Sequence, residues 1–238
     1  MSLLRGGLSQ AELMGYLVRL FIIFLILPIH EFAHAWTAYK LGDDTAKYQG
    51  RLTLNPIAHL DPIGAICLLI GGFGWAKPVP IDPTRFTRKH SIRFGVAITA
   101  LAGPLSNLIV SFLGMIGLRF YECSDYYQAF WSAYAEGESI SNAPQLIYIM
   151  IYAFVSINIG LAVFNLIPIP PLDGSKILSY FTNAKFDRWF IQNEQIVRIV
   201  FLIVLVSPIL HGPLGAVEGG IFRLFTFLTD WIPAIIGK

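Results

Sequence analysis

Four apolar runs, at about 13–38, 94–118, 146–168 and 196–210, limit what this chain can fold into. A helix needs ~20 apolar residues to cross a bilayer, and each run is read as a candidate span against that measure, the 15-residue run 196–210 being the shortest. Inside hydrocarbon the backbone must satisfy its own hydrogen bonds, so such runs are expected as helices. Composition agrees. The 238 residues are 55% hydrophobic and 13% charged, where an ordinary soluble domain carries about 25% charge. The expectation is an all-α, multi-span membrane protein forming a single membrane-embedded domain over 1–238, with little room for a soluble domain. A net charge of +2 gives no argument for a nucleic-acid partner. Cys67 and Cys123 are far apart, form no ligand pattern and read as buried or lipid-facing thiols. The stretch "MSLLRGGLSQAELMGY" has no short apolar core followed by a cleavage site, so the first run reads as a permanent span.

Two shorter segments are ambiguous. "PIGAICLLIGGFGW" (62–75) is too short to cross and reads as re-entrant. The segment 221–237 contains Arg223 and Asp230 and reads as a poor span or an interfacial helix. Lys40, Lys47, Arg51, Lys77, Arg85, Arg88, Lys89 and Arg93 place 40–93 in the cytoplasm by the positive-inside rule. Glu122, Asp125, Glu136 and Glu138, against Arg119 alone, place 119–145 outside. Lys176, Lys185, Arg188 and Arg198 return 170–198 to the inside, which leaves the N-terminus outside. "GRLTLN" alternates β-formers and "AKPVPIDP" excludes helix through its prolines. The expected fold is a helical bundle with a re-entrant segment and a small extended or β element on the cytoplasmic side.

Within the first run stands "HEFAH", residues 30–34. Ionisable side chains at membrane depth are expensive and point to function. Residues four apart share a helix face, so His30 and His34 can address one metal ion. Glu31 beside them is placed to take a proton from water that the metal activates. HExxH arises by chance in roughly one chain in a hundred of this size, so the motif alone is only suggestive. The alternative is a pair of histidines hydrogen-bonded inside a helix bundle, which leaves Glu31 needing a partner of its own.

A zinc site needs a third protein ligand and an open fourth position. "NLIPIPPLDGSKI" (165–177) ends a run that crosses in the same direction as the first. Asp173 is thereby expected in the same membrane layer as His30 and His34. Pro168, Pro170 and Pro171 break the helix before it, and irregular backbone at that depth belongs in buried protein or a wet cavity. The competing role for Asp173 is a helix N-cap before "SKILSYF". With HExxH present, the ligand reading is preferred.

His30, Glu31 and His34, followed by Asn165, Pro168, Leu172, Asp173 and Gly174, resemble the paired motifs of the site-2 protease family of intramembrane zinc metalloproteases. "GDDTAKYQGRLTLNPIAHLDPIG", "FGWAKPVP" and "AGPLSNL" are similar to its short bacterial and archaeal branch, which lacks a PDZ domain. The resemblance covers about 16–180, taken as the catalytic core, with C-terminal helices over about 190–237. It implies one Zn2+ held by His30, His34 and Asp173, with Glu31 as general base and later proton donor. It places Asn165 near the metal, holding the substrate or its oxyanion. It also implies a multi-pass protein of a bacterial or archaeal cytoplasmic membrane. The implied partners are the lipid bilayer and single-span membrane-anchored substrates, cut near the cytoplasmic face in regulated intramembrane proteolysis. "LDGSKI" stands where many relatives have "LDGGR".

Other residues carry less. Gly103 and Asn107 lie four apart and read mainly as a close helix contact, with a substrate role for Asn107 as the alternative. His59 reads as a loop histidine at the interface or a group behind the ligands. Trp36, Trp75, Trp189 and Trp231 fit interface anchoring. The extended pieces 51–55 and 76–82 either offer a strand edge to an unwound substrate or are plain loops. A transporter would spread its polar residues along a path and often repeat its halves, and a silent scaffold would carry a damaged motif. Neither pattern is present here.

Overall fold

The computed structural model describes residues 10–71, 74–87, 89–136, 143–207 and 209–237. Arg88 and Glu138, used above for orientation, and residues 72–73 of the short apolar segment lie outside the described residues, as does the extreme N-terminus. The chain divides into two compact units, 1–103 and 104–238. Among the described residues, four helices are long and apolar enough to cross a membrane: Gly15–Lys40, Ile92–Glu122, Ala143–Asn165 and His211–Ile236.

In the first unit, α1 (Gln10–Phe21), a π-turn (Ile22–Ile26) and α2 (Leu27–Lys40) follow one another as a single rod. The Leu27 N–H donates to Ile22 O, five residues back. Pro28 explains the looser turn, because its ring crowds the carbonyl four residues earlier and it has no N–H of its own. At the other end Leu41 caps α2 and Gly42 takes φ +104°, a conformation glycine adopts without steric cost. Three short helices follow: α3 (Thr45–Tyr48), α4 (Pro56–His59) and α5 (Pro62–Gly71). A 3-10 turn (Pro83–Arg85) precedes α6 (Ile92–Glu122).

The expected β element does not form. No strand is present among the described residues, only an isolated antiparallel bridge between Leu60 and Ala76. Three of the backbone donors of 77–82 are spent elsewhere. Lys77 N bonds His59 O at 2.9 Å, Val79 N bonds Glu31 Oε2 at 3.3 Å and Asp82 N bonds Asp43 Oδ2 at 2.7 Å. Pro78 and Pro80 have no N–H to give. The segment is a strap pinned largely by side chains, so no ladder can run along it. His59 is also not an exposed loop group. It is buried, and its Nε2 lies 2.7 Å from Thr53 O.

The second unit holds the rest of α6, then α7 (Asp125–Ala135), α8 (Ala143–Asn165), α9 (Asp173–Phe181), α10 (Ala184–Gln192), α11 (Glu194–Val206), α12 (His211–Thr229) and α13 (Trp231–Ile236). Met115 and Leu118 of α6 and Val155, Ile159 and Val163 of α8 form its core, with Leu214, Ile221, Phe222 and Phe225 of α12 packed against them. Arg119 joins the end of α6 to Asp230 just past α12, at 2.6 Å. Phe222 lies against Tyr152 with the rings tilted at 54°, while Glu218 lies toward Gly160. Hence α12 runs antiparallel to α8.

The fourth span is not where the sequence placed it. The run at 196–210 ends as α11 at Val206, with Ser207 extended at ψ 156°. A residue before proline is pushed out of the helical region, and Pro208 follows. The ambiguous C-terminal segment instead belongs to the long helix His211–Ile236.

Polar groups tie α6 to α8. Asn107 Nδ2 donates to Asn158 Oδ1 at 2.8 Å, and Ser111 Oγ donates to Val155 O at 2.8 Å. Both asparagines are fully buried. This is the helix contact that the spacing of Gly103 and Asn107 suggested. Asn107→Leu should lower stability by about 1–2 kcal/mol, the range for interhelical hydrogen bonds in membranes. Thermal unfolding in detergent checks this, and an unchanged midpoint would remove the bond from the account.

Candidate metal centre

His30 and His34 lie one turn apart on α2, both buried, as HExxH on a helix requires. Their Nε2 atoms are 3.1 Å apart. Two ligands in a tetrahedron of ~2.0–2.1 Å bonds sit about 3.3 Å apart, so the pair is already spaced for one ion. His34 Nδ1 lies 2.7 Å from Thr99 O. A carbonyl only accepts, so Nδ1 carries a proton, which in the neutral ring leaves Nε2 its lone pair, as a metal-ligating histidine needs.

Gly103 completes this pocket. A Cβ there would lie 2.4 Å from His34 Nε2 and 2.6 Å from His30 Cε1. Both imidazoles thus pack against bare backbone. The sequence marked Gly103 only as a helix-contact residue, and the spacing in "AGPLSNL" gives no sign that the contact is with the two imidazoles.

Glu31 is half-buried, and its Oε2 accepts from Val79 N. Arg51 is also close in charge terms. Burial lowers the pKa of its guanidinium, while the negative charge of Glu31 pulls it back up.

Asp173 is the first residue of α9, so it is not the N-cap, which is Leu172. The turn that delivers it contains a cis Pro170–Pro171 bond. Gly174 lets this turn fold back on the end of α8, since a Cβ there would lie 2.3 Å from Leu166 O and 2.4 Å from Ile167 O. The Asp173 carboxylate is buried, with Lys176 Nζ 3.2 Å from its Oδ1. His30 and His34 in the first unit and Asp173 in the second are each buried. Two neutral imidazoles and a carboxylate are a donor set suited to a divalent metal of intermediate softness.

Asn165 ends α8 with its Nδ2 donating to Leu161 O at 3.0 Å, inside its own helix. Asn107 is committed to Asn158, as described above.

The chain as a whole is similar to several known proteins. YwhC of Bacillus subtilis, named for a proposed zinc metalloprotease activity, is 40% identical over 219 residues, covering 90% of this chain and 93% of YwhC. The Rip2 proteins of Mycolicibacterium smegmatis and Mycobacterium tuberculosis, named in the same way, are 28% and 26% identical over 190 and 193 residues. Each alignment covers 78% of this chain and 65% of the relative. No solved structure matches the chain significantly. The sequence model of peptidase family M50 matches residues 18–208, and with the YwhC alignment this shows that the chain belongs to family M50, the site-2 proteases.

Proposed function

We propose that this protein is an intramembrane zinc endopeptidase that cuts single-span, membrane-anchored substrates near the cytoplasmic face. The observation that carries the reading is the buried His30–His34 pair, pre-spaced for one ion beside Glu31, in a helix apolar enough to cross a membrane. His30, His34 and Asp173 would be the zinc ligands, one ion per chain. Bound there, zinc supplies Lewis-acid polarisation of a peptide carbonyl and a water of lowered pKa.

The chain's own groups do the rest. Glu31 takes the proton from the attacking water and returns it to the leaving amine. The Thr99 carbonyl holds the His34 ring in its ligating tautomer. A helical substrate hides its peptide bonds in internal hydrogen bonds, so it must unwind, and Asn165 at the end of α8 would meet the exposed strand. Asn107 serves mainly as a helix tie in this reading. The N-terminus lies outside, the site faces the cytoplasm, and the ten-residue α5 is the re-entrant dip.

Zinc per chain in detergent tests the ligand set without a substrate. Wild type should hold about one zinc, the stoichiometry of a three-ligand catalytic site, and His34→Ala and Asp173→Ala should each lose most of it. Zinc retained by Asp173→Ala would show that the two motifs do not share an ion.

A further inference from the structure

The strap from Lys77 to Asp82 bonds the HExxH helix through the group that does the proposed chemistry, since the Val79 N–H donates to Glu31 Oε2. What holds the strap two residues earlier is Arg51. Gly50, at φ +68°, turns the chain, and Arg51 N then bonds Ala46 O at 2.7 Å. The Arg51 side chain goes inward until only 5% of the residue is exposed. Its Nη2 donates to Lys77 O, and its Nε has no hydrogen-bond partner among the described residues.

A buried guanidinium carries a desolvation penalty of several kcal/mol. A loop carbonyl such as Lys77 O has no need of one, because water would satisfy it. What the guanidinium adds is a fixed, forked donor next to an opposite charge. That charge is Glu31, the acidic group whose field Arg51 feels.

We propose that Arg51 is a positioning residue for Glu31: by gripping the Lys77 carbonyl it sets the register of the strap, so that the Val79 N–H binds one carboxylate oxygen and fixes the orientation of the base. The proposal rests on the reading of Glu31 as general base. Nothing in it requires Arg51 to touch substrate or metal. Asp43 pins the far end of the strap at Asp82 independently. Loss of Arg51 should therefore loosen the strap at Val79 while Asp82 stays held.

Hydrogen exchange on the full-length chain in detergent reads this directly. Pro78 and Pro80 have no amide proton, so Val79 is isolated in the exchange pattern. Arg51→Gln should speed Val79 exchange on the order of 10-fold, the equivalent of one lost hydrogen bond to a charged group. Asp82 exchange and zinc per chain should not change. Arg51→Lys, which can still donate to the carbonyl, should fall between the two. On a fluorescent single-span helix with a Gly-Pro pair near its cytoplasmic end, kcat should fall about 10- to 100-fold with KM little changed.

Val79 exchange in Arg51→Gln within about twofold of wild type would overturn the proposal. So would equal loosening at Val79 and Asp82, or loss of zinc, since either would make Arg51 a general support of the fold. Wild type without zinc would instead count against the protease reading, and the exchange measurement would still decide the linkage from Arg51 to Glu31.

Discussion

Gly103→Ala is expected to strip the metal from the protein while leaving the helix intact or slightly firmer. Alanine is favoured over glycine in a helix interior by about 1 kcal/mol, so propensity alone predicts stabilisation of α6. Packing predicts the reverse for the site. The new methyl would lie 2.4 Å from His34 Nε2 and 2.5 Å from His34 Cε1, distances no side chain tolerates. The ring cannot swing away freely, because its Nδ1 is held by Thr99 O at 2.7 Å. Either that bond breaks or α2 moves off α6, and both misplace the proposed ligand atom, His34 Nε2. Metal affinity, measured by competition with a chelator, should drop by about 100-fold, the upper end of what loss of ligand orientation does. Gly117, on the same helix, has nothing within 4 Å of a built Cβ, so Gly117→Ala is the matched control and should bind metal normally. A Gly103→Ala protein with wild-type metal affinity would mean that the imidazoles do not lie against this backbone.

The second large effect separates ligand from base. Glu31→Gln keeps the shape of the side chain and an oxygen that can still accept from Val79 N, so strap and helix should be undisturbed. It cannot accept a proton at neutral pH. Zinc per chain should match wild type, while cleavage of a single-span probe should fall about 10²- to 10⁴-fold, the range for loss of a general base. The two results together are the signature. Loss of zinc in Glu31→Gln would make Glu31 a ligand, and near-normal cleavage would leave the reaction without its base.

The pairing of His30 and His34 in the candidate site was readable from the residues because it is local. Four-residue spacing puts His30 and His34 on one face wherever a helix forms, and an apolar run ensures the helix. Gly42, at positive φ just past Leu41, ends α2 by an equally local rule. The misreadings share a different cause: competition from residues far away in sequence. The strap looked like a strand because nothing nearby shows that Glu31 and Asp43 claim its amide protons. His211–Ile236 was underrated because Arg223 and Asp230 read as charges in a poor span over 221–237, while the helix begins ten residues earlier in a glycine-containing stretch, and glycine is common in membrane helices. Arg51 counted as one more cytoplasmic surface charge, yet it is buried. No spacing rule could show that Gly103 faces imidazole rings, because that contact joins residues about seventy apart.

The π-turn at Ile22–Ile26 also sets the phase of the first rod. One additional residue in a helical turn rotates everything on one side of it by about 100° relative to the other. The face of α1 that reaches α5, where Arg19 Nη1 bonds Leu69 O and lies 3.3 Å from Ile70 O, is therefore not in the simple α-helical alignment with the face of α2 that presents the histidines. The turn works as a rotational coupling between two stripes, each free to suit its own neighbours. Removing a single residue from 22–26 would bring the two stripes into ordinary helical register. The rod would then have to choose between its contact with α5 and the aim of its imidazoles.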